Sequence, residues 1–208
     1  MDAEGNILVS LNSALLSQRF GDYAKRLNET VEGFDWNPVV KLTRELEDCW
    51  REGRQVLICG NGGSAGNAIH LANDFLYGIS KKRGSGIRMI ALSANPAVMS
   101  CLANDVSYDH IYSMQIAVKG RPGDVLIVLS GSGNSSNIIE ALKEAKVKEM
   151  KSYAILGFSG GESKKLADTS IHFPIDDMQI SEDLQIMVGH MVMQSLYKDK
   201  ERIMEGCI

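Results

Sequence analysis

Long apolar runs are missing from this chain. No stretch approaches the ~18 residues that a membrane span needs. A basic excess is missing too. Twenty-two Lys and Arg stand against 26 Asp and Glu, a formal charge of −4, so there is no electrostatic footprint for nucleic acid and no membrane-surface tract. The opening MDAEGNILVS is acidic where a secretory leader is basic. The four cysteines, Cys49, Cys59, Cys101 and Cys207, form no CxxC pair and read as reduced thiols of a cytoplasmic protein. Neither GxGxxG nor GxxxxGKS occurs, which removes the dinucleotide fingerprint and the Walker loop. Low-complexity tracts and internal linkers are also absent. What remains is a chain of 208 residues, 44% hydrophobic and 23% charged, long enough for one domain with a sizeable core.

One stretch, VLICGNGGSAGNAIHLANDFLY from Val56 to Tyr77, organises the rest. Val56, Leu57, Ile58 and Cys59 read as a buried parallel strand. Gly60, Gly62 and Gly63 then free the backbone for positive φ and close approach to a ligand. From Ser64, taken as the N-cap, Ala65, Ala68, Ile69, Ala72, Phe75 and Leu76 follow helical spacing to Gly78. A glycine loop feeding a helix N-terminus offers free N–H groups and a positive dipole end to an anion. His70 and Asp74, four apart, share a face of that helix.

The geometry recurs later. Residues 124–129 (DVLIVL) are the clearest strand, Ser130-Gly131-Ser132-Gly133-Asn134-Ser135 the loop, and residues 136–148 the helix. Two such loops on adjacent strands would converge in the crevice where doubly wound sheets bind ligands. Around them the pattern predicts an amphipathic helix from about Leu11 to Glu32 and a second from Pro38 to about Glu52. Strands are predicted at 88–92, 152–156 and 171–174, and helices at 97–103, 109–118 and 162–167. A long terminal helix, 181–204, is capped by Ser181 and carries Glu182 and His190 on one face. The whole reads as a single domain, 1–208, with residues 1–53 as a helical extension and 54–204 as the α/β core and terminal helix.

The two loops and Asn104-Asp105 resemble the motifs of SIS (sugar isomerase) domains, nearest the phosphoheptose isomerase branch, over about residues 38–198. The resemblance implies a five-stranded, doubly wound, flavodoxin-like parallel sheet, N-terminal helices, and a homotetramer with sites at subunit boundaries. It implies that Asn61, Gly62, Gly63, Ser64, Ser130, Gly131, Ser132 and Ser135 hold a sugar phosphate, with Asp105 and Glu182 also on the substrate. The acid–base pair of an aldose–ketose isomerase falls on Asp74 and His190. In some relatives zinc is bound at positions matching His70, Asp74, Glu182 and His190. Four positions depart from the family pattern. Asp74 replaces a glutamate, which withdraws the carboxylate by about 1.5 Å, one C–C bond. Glu182 replaces a glutamine, Gly131 a threonine, and Gly78 an arginine.

On residue type alone, His70 is equally a helix histidine bonded to a carbonyl, Asp74 a solvated carboxylate and His190 a core histidine. The His/carboxylate set suits zinc or another borderline metal without specifying one. Besides the isomerase, preferably of sedoheptulose 7-phosphate, two other classes fit: a sugar-phosphate-binding protein without turnover, and a protein-interaction factor.

Overall fold

The computed structural model describes residues 13–205. The start expected for the first helix at Leu11, and Cys207, lie outside the described residues. The chain divides into two units, Met1–Phe34 and Asp35–Ile208. The first carries α1, Ser13–Val31, an amphipathic helix with an i,i+4 pair between Lys25 and Glu29 at 3.7 Å.

The second unit opens with α2, Asn37–Glu52, Pro38 in its first turn and Gly53 closing it at φ 68°. Val39, Leu42, Leu46, Cys49 and Trp50 bury one stripe of α2, and Trp50 donates to the Ser85 carbonyl at 2.8 Å. Then come β1 (Gln55–Gly60), α3 (Gly63–Asn73), β2 (Arg88–Ala91), α4 (Pro96–Asp105) and α5 (Ser113–Lys119). They are followed by β3 (Val125–Ser130), α6 (Ser136–Val147), β4 (Lys151–Leu156), α7 (Ser163–Leu166), β5 (Thr169–His172), α8 (Met178–Lys198) and α9 (Lys200–Glu205).

The five strands form one parallel sheet in the order β2-β1-β3-β4-β5. This is the flavodoxin-like winding, in which the connections reverse direction between β1 and β3. Every residue of β3 is buried, as its unbroken Val/Leu/Ile run requires of a strand covered on both faces. One layer of the core joins Leu57, Cys59, Leu126 and Val128 to Ile138, Ala141 and Leu142 of α6.

Four features differ from the sequence reading. Ser64 is not the N-cap of α3. Gly62 is, at φ 55° and ψ −123°, a conformation that favours glycine, and Ser64 lies buried in the first turn. Ser181 is likewise inside α8. Asp177 caps that helix, accepting from Ile180 N at 3.1 Å, and the Ser181 hydroxyl donates back to the Asp177 carbonyl at 2.8 Å. The terminal helix is also interrupted at Asp199, which leaves its helical ψ and separates α8 from α9. Finally, residues 109–118 are not one helix: a 3₁₀ turn at Tyr108–His110 precedes α5.

Candidate active site

The register between β1 and β3 pairs Gly60 with Leu129. The two loops therefore leave the sheet side by side at the switch point. They enclose a cavity of about 280 Å³ lined by Asn61, Gly62, Gly63, Ser64, Ser130, Gly131, Ser132, Ser135 and Glu182, with Leu129 and Met178. Of the ten residues expected on the substrate, nine meet there. Asp105 is not among the lining residues: it is exposed at the end of α4, accepting from Asn104 Nδ2 at 2.8 Å and from Cys101 Sγ at 3.4 Å. Those two donors hold its carboxyl below the usual carboxylate range.

The first loop is braced by side chains that sequence reasoning missed. Asn61 and Asn137 exchange amide hydrogen bonds of 2.8 and 2.9 Å. Asn137 is buried in α6, so the helix after the second loop grips the first. Tyr112 donates to the Gly60 carbonyl and reaches Asn61 Oδ1 at 3.4 Å; burial pushes its phenol well above the usual tyrosine range. Asn61 thus spends its side chain on the protein. The visible signal was Asn137 itself, an amide among Ile138, Ala141 and Leu142 on the apolar stripe of α6.

The second loop is braced by its own serines. Ser130 Oγ accepts from Gly133 N at 3.0 Å and Ser132 Oγ from Asn134 N at 3.3 Å. A neighbouring turn adds Gly157 N to the Gly131 carbonyl at 3.0 Å and Ser163 N to the Gly133 carbonyl at 2.9 Å. Ser135 stands at the N-cap of α6 and makes no side-chain cap bond. Gly131 is a space-maker: a Cβ there would lie 2.7 Å from Met178 Sδ. The α3 and α6 N-termini both face this cavity, and together they favour an anion.

Further along α3 and α8 lies a second cluster. His70 Nε2 is 2.9 Å from His190 Nε2, and Asp74 Oδ2 is 3.4 Å from the first and 3.3 Å from the second. One long-range and one local feature build it. A Cβ on Gly189 would lie 2.2 Å from Leu71 Cδ2, so the missing side chain lets α8 approach α3 and delivers His190. At Asp74 the α-helix gives way to a π-helical turn, Asp74–Gly78, closed by Ile79 N on the Asp74 carbonyl at 2.9 Å. Such turns recur at functional sites. Asp74 is half-buried (18% side-chain exposure) while the His190 side chain is 39% exposed.

The donor set fits a small borderline cation. His70, Asp74 and His190 each offer a ligand atom within 4.8 Å of the others, and their separations match the ~3.3 Å edge of a tetrahedron with zinc-type bonds of about 2.0–2.1 Å. Glu182, the fourth expected ligand, is elsewhere. Its carboxylate lies against Gly63, where a Cβ would meet its oxygens at 2.3 and 2.4 Å.

A flavodoxin-like sheet with paired anion loops at its switch point, and a His/carboxylate cluster on the adjoining helices, defines a phosphorylated-ligand domain with acid–base capacity. A model of the SIS domain matches residues 19–157. The chain belongs to the SIS domain family, within its phosphoheptose isomerase branch. It is 37% identical over 179 residues to phosphoheptose isomerase of Chlorobaculum tepidum, covering 85% of each chain. It is 39% identical over 193 residues to that of Vibrio parahaemolyticus, covering 90% of this chain and 98% of the relative. The solved phosphoheptose isomerase of Neisseria gonorrhoeae superposes with a TM-score of 0.80 at 28% identity, covering 88% and 98% of the two chains.

Proposed function

We propose that this protein is an aldose–ketose isomerase that converts sedoheptulose 7-phosphate to a heptose 7-phosphate through an enediol. One observation carries the reading: the loop cavity and the His70/Asp74/His190 cluster share the helix pair α3 and α8. Gly63 and Glu182 line the cavity, and His70 and His190 follow them on the same helices. At 1.5 Å per residue this separates the two places by roughly 10–12 Å. An extended seven-carbon phosphate ester, with bonds near 1.5 Å, reaches about that far.

In this reading the phosphate is held by loop amides and by the hydroxyls of Ser64, Ser132 and Ser135, and its binding energy positions the carbonyl end. Asp74 removes the proton from C1 of the ketose, and the C–H electron pair becomes the enediol double bond. His190 protonates the C2 oxygen. Return of a proton to C2, with loss of the O1 proton, gives the aldose. A carboxylate base beside an imidazole suits such a transfer. Were zinc bound by His70, Asp74 and His190, it would supply Lewis-acid polarisation of the carbonyl oxygen. The working assembly in this reading is a cytoplasmic homotetramer, for which light scattering is the check.

NMR of the purified protein with a panel of C5–C7 sugar phosphates tests the substrate. Interconversion strongest for the seven-carbon ketose supports it, and no interconversion of any member overturns it. Metal analysis before and after dialysis against a chelator tests the zinc assignment: stoichiometric zinc whose loss lowers turnover supports it, and active metal-free protein refutes it. A second reading, binding without turnover, draws on Glu182, whose charge in the loop cavity would meet that of a phosphate. Saturable binding of sedoheptulose 7-phosphate without isomerisation would favour it.

A further inference from the structure

The opposite end of the sheet carries a second polar cleft. Gln55 opens β1 there and Gly60 closes β1 at the loop cavity, so the two places lie roughly 15–20 Å apart at about 3.3 Å per residue. The cleft has a volume of about 280 Å³, and its lining includes Arg54, Arg88, Lys119 and Arg121 against one carboxylate, Asp124. Both oxygens of that carboxylate are engaged by backbone, accepting from Gln55 N at 2.9 Å and Arg121 N at 3.0 Å. Arg54 is neutralised by Glu45 at 2.8 Å and Glu52 at 2.6 Å. The other three cations are not. Among the described residues, Arg88 bonds only the Gly53 carbonyl, at 3.0 Å. Among the described residues, the side chains of Lys119 and Arg121 have no ion-pair or hydrogen-bond partner. The lining also holds an orphan: Gln55 Nε2 is buried with no acceptor, a state that costs stability unless something accepts from it.

We infer that this cleft is a second anion site, built for a small polyanion of the phosphate or diphosphate class and separate from the substrate loops. Among the described residues Arg88, Lys119 and Arg121 have no ion-pair partner and outnumber the one carboxylate of the lining, Asp124, and that positive excess matches a ligand with two or more negative charges and several acceptor oxygens. The surrounding chain is pre-formed: Gly53 holds a left-handed cap at φ 68°, and Asp124 ties the starts of β1 and β3 together. No part of the inference rests on the isomerase reading.

Glycine-selective 15N NMR of the full chain separates the two sites. Gly53 and Gly123 report on the cleft, and Gly62, Gly63, Gly131 and Gly133 on the loops. Titration with inorganic pyrophosphate is expected to shift Gly53 and Gly123 saturably, beyond what chloride does at matched ionic strength. The double variant Lys119→Ala/Arg121→Ala removes exposed side chains only. It should weaken that response at least tenfold and leave the loop signals unchanged. A nucleoside diphosphate run in parallel distinguishes the source: tighter binding than pyrophosphate indicates a nucleotide, equal binding the diphosphate alone. Shifts confined to the loops, shifts reproduced by chloride, or undiminished binding by the double variant would each overturn the inference. Silence at the loops with saturation at Gly53 would count against the phosphate reading of the loops and leave the second site standing.

Discussion

The loops 60–64 and 130–135 both contribute to one cavity, yet they are held from different directions. The first loop is fastened from outside, by Asn137 of α6 and Tyr112 of α5's leading end, and it opens α3 through a glycine cap. The second is fastened from within, by Ser130 and Ser132 folding onto their own backbone, and by the turn that follows β4. Similar composition therefore conceals a division of labour. Asn61 bonds Asn137 and Tyr112 while it lines the cavity with Gly62, Gly63 and Ser64. Ser135 is the second-loop serine whose hydroxyl does not cap its helix.

The sharpest way to break this comparison is Gly133→Ala. Gly133 sits at φ 69°, and a Cβ would lie 2.1 Å from the Gly160 carbonyl oxygen. Because that neighbour is backbone, strain and displacement together should cost on the order of 2–4 kcal/mol. Urea denaturation would show it as a lowered midpoint. Gly62→Ala, at φ 55° with nothing within 4 Å of the new Cβ, should cost less, about 1–3 kcal/mol of backbone strain. Near parity of the two would remove the difference in support.

Asn137→Ala comes next. It strips the first loop of its amide partner and leaves Asn61 Nδ2 without its acceptor, at about 1–3 kcal/mol. It should raise the apparent substrate Kd in calorimetry, while the second loop keeps its own hydrogen bonds. Ser135→Ala has the smallest expected effect on folding. With no side-chain cap bond to lose, stability should change by only about 0.5 kcal/mol or less, whereas phosphate binding should weaken several-fold. A large drop in melting temperature instead would make Ser135 a structural cap.

Composition made the loops and strands readable. A run such as VLIVL suits a strand buried on both faces, and glycine and serine directly after it mark the bend. Helix starts were less readable. Asp177 and Ser181 are both good caps, and the choice was made by backbone angles, with Asp177 extended at φ −151°. The π-helical turn at Asp74 has no compositional mark, since His70 and Asp74 are equally in phase for an ordinary helix. The meeting of His190 with that pair depends on Gly189 packing on Leu71, a contact between residues 118 positions apart in a chain whose local pattern cannot register it; the family resemblance supplied it. Asp105 and Glu182 show the converse. Each was assigned a place by motif, and the structure adds surroundings the motif does not specify: a Cys101 thiol bonded to Asp105 beside its motif neighbour Asn104, and for Glu182 a carboxylate laid against Gly63, away from the His70/Asp74/His190 cluster.

The central claim is that Asp74 moves the carbon-bound proton of a sugar phosphate seated in the two loops. Incubating the wild type and Asp74→Asn with sedoheptulose 7-phosphate in deuterium oxide, and following C1 and C2 by proton NMR, tests it directly. The wild type should exchange solvent deuterium into the sugar. Asp74→Asn should still bind the phosphate but lose exchange by roughly 10²–10⁴-fold, the usual worth of a positioned base. Undiminished exchange in the variant would contradict the account.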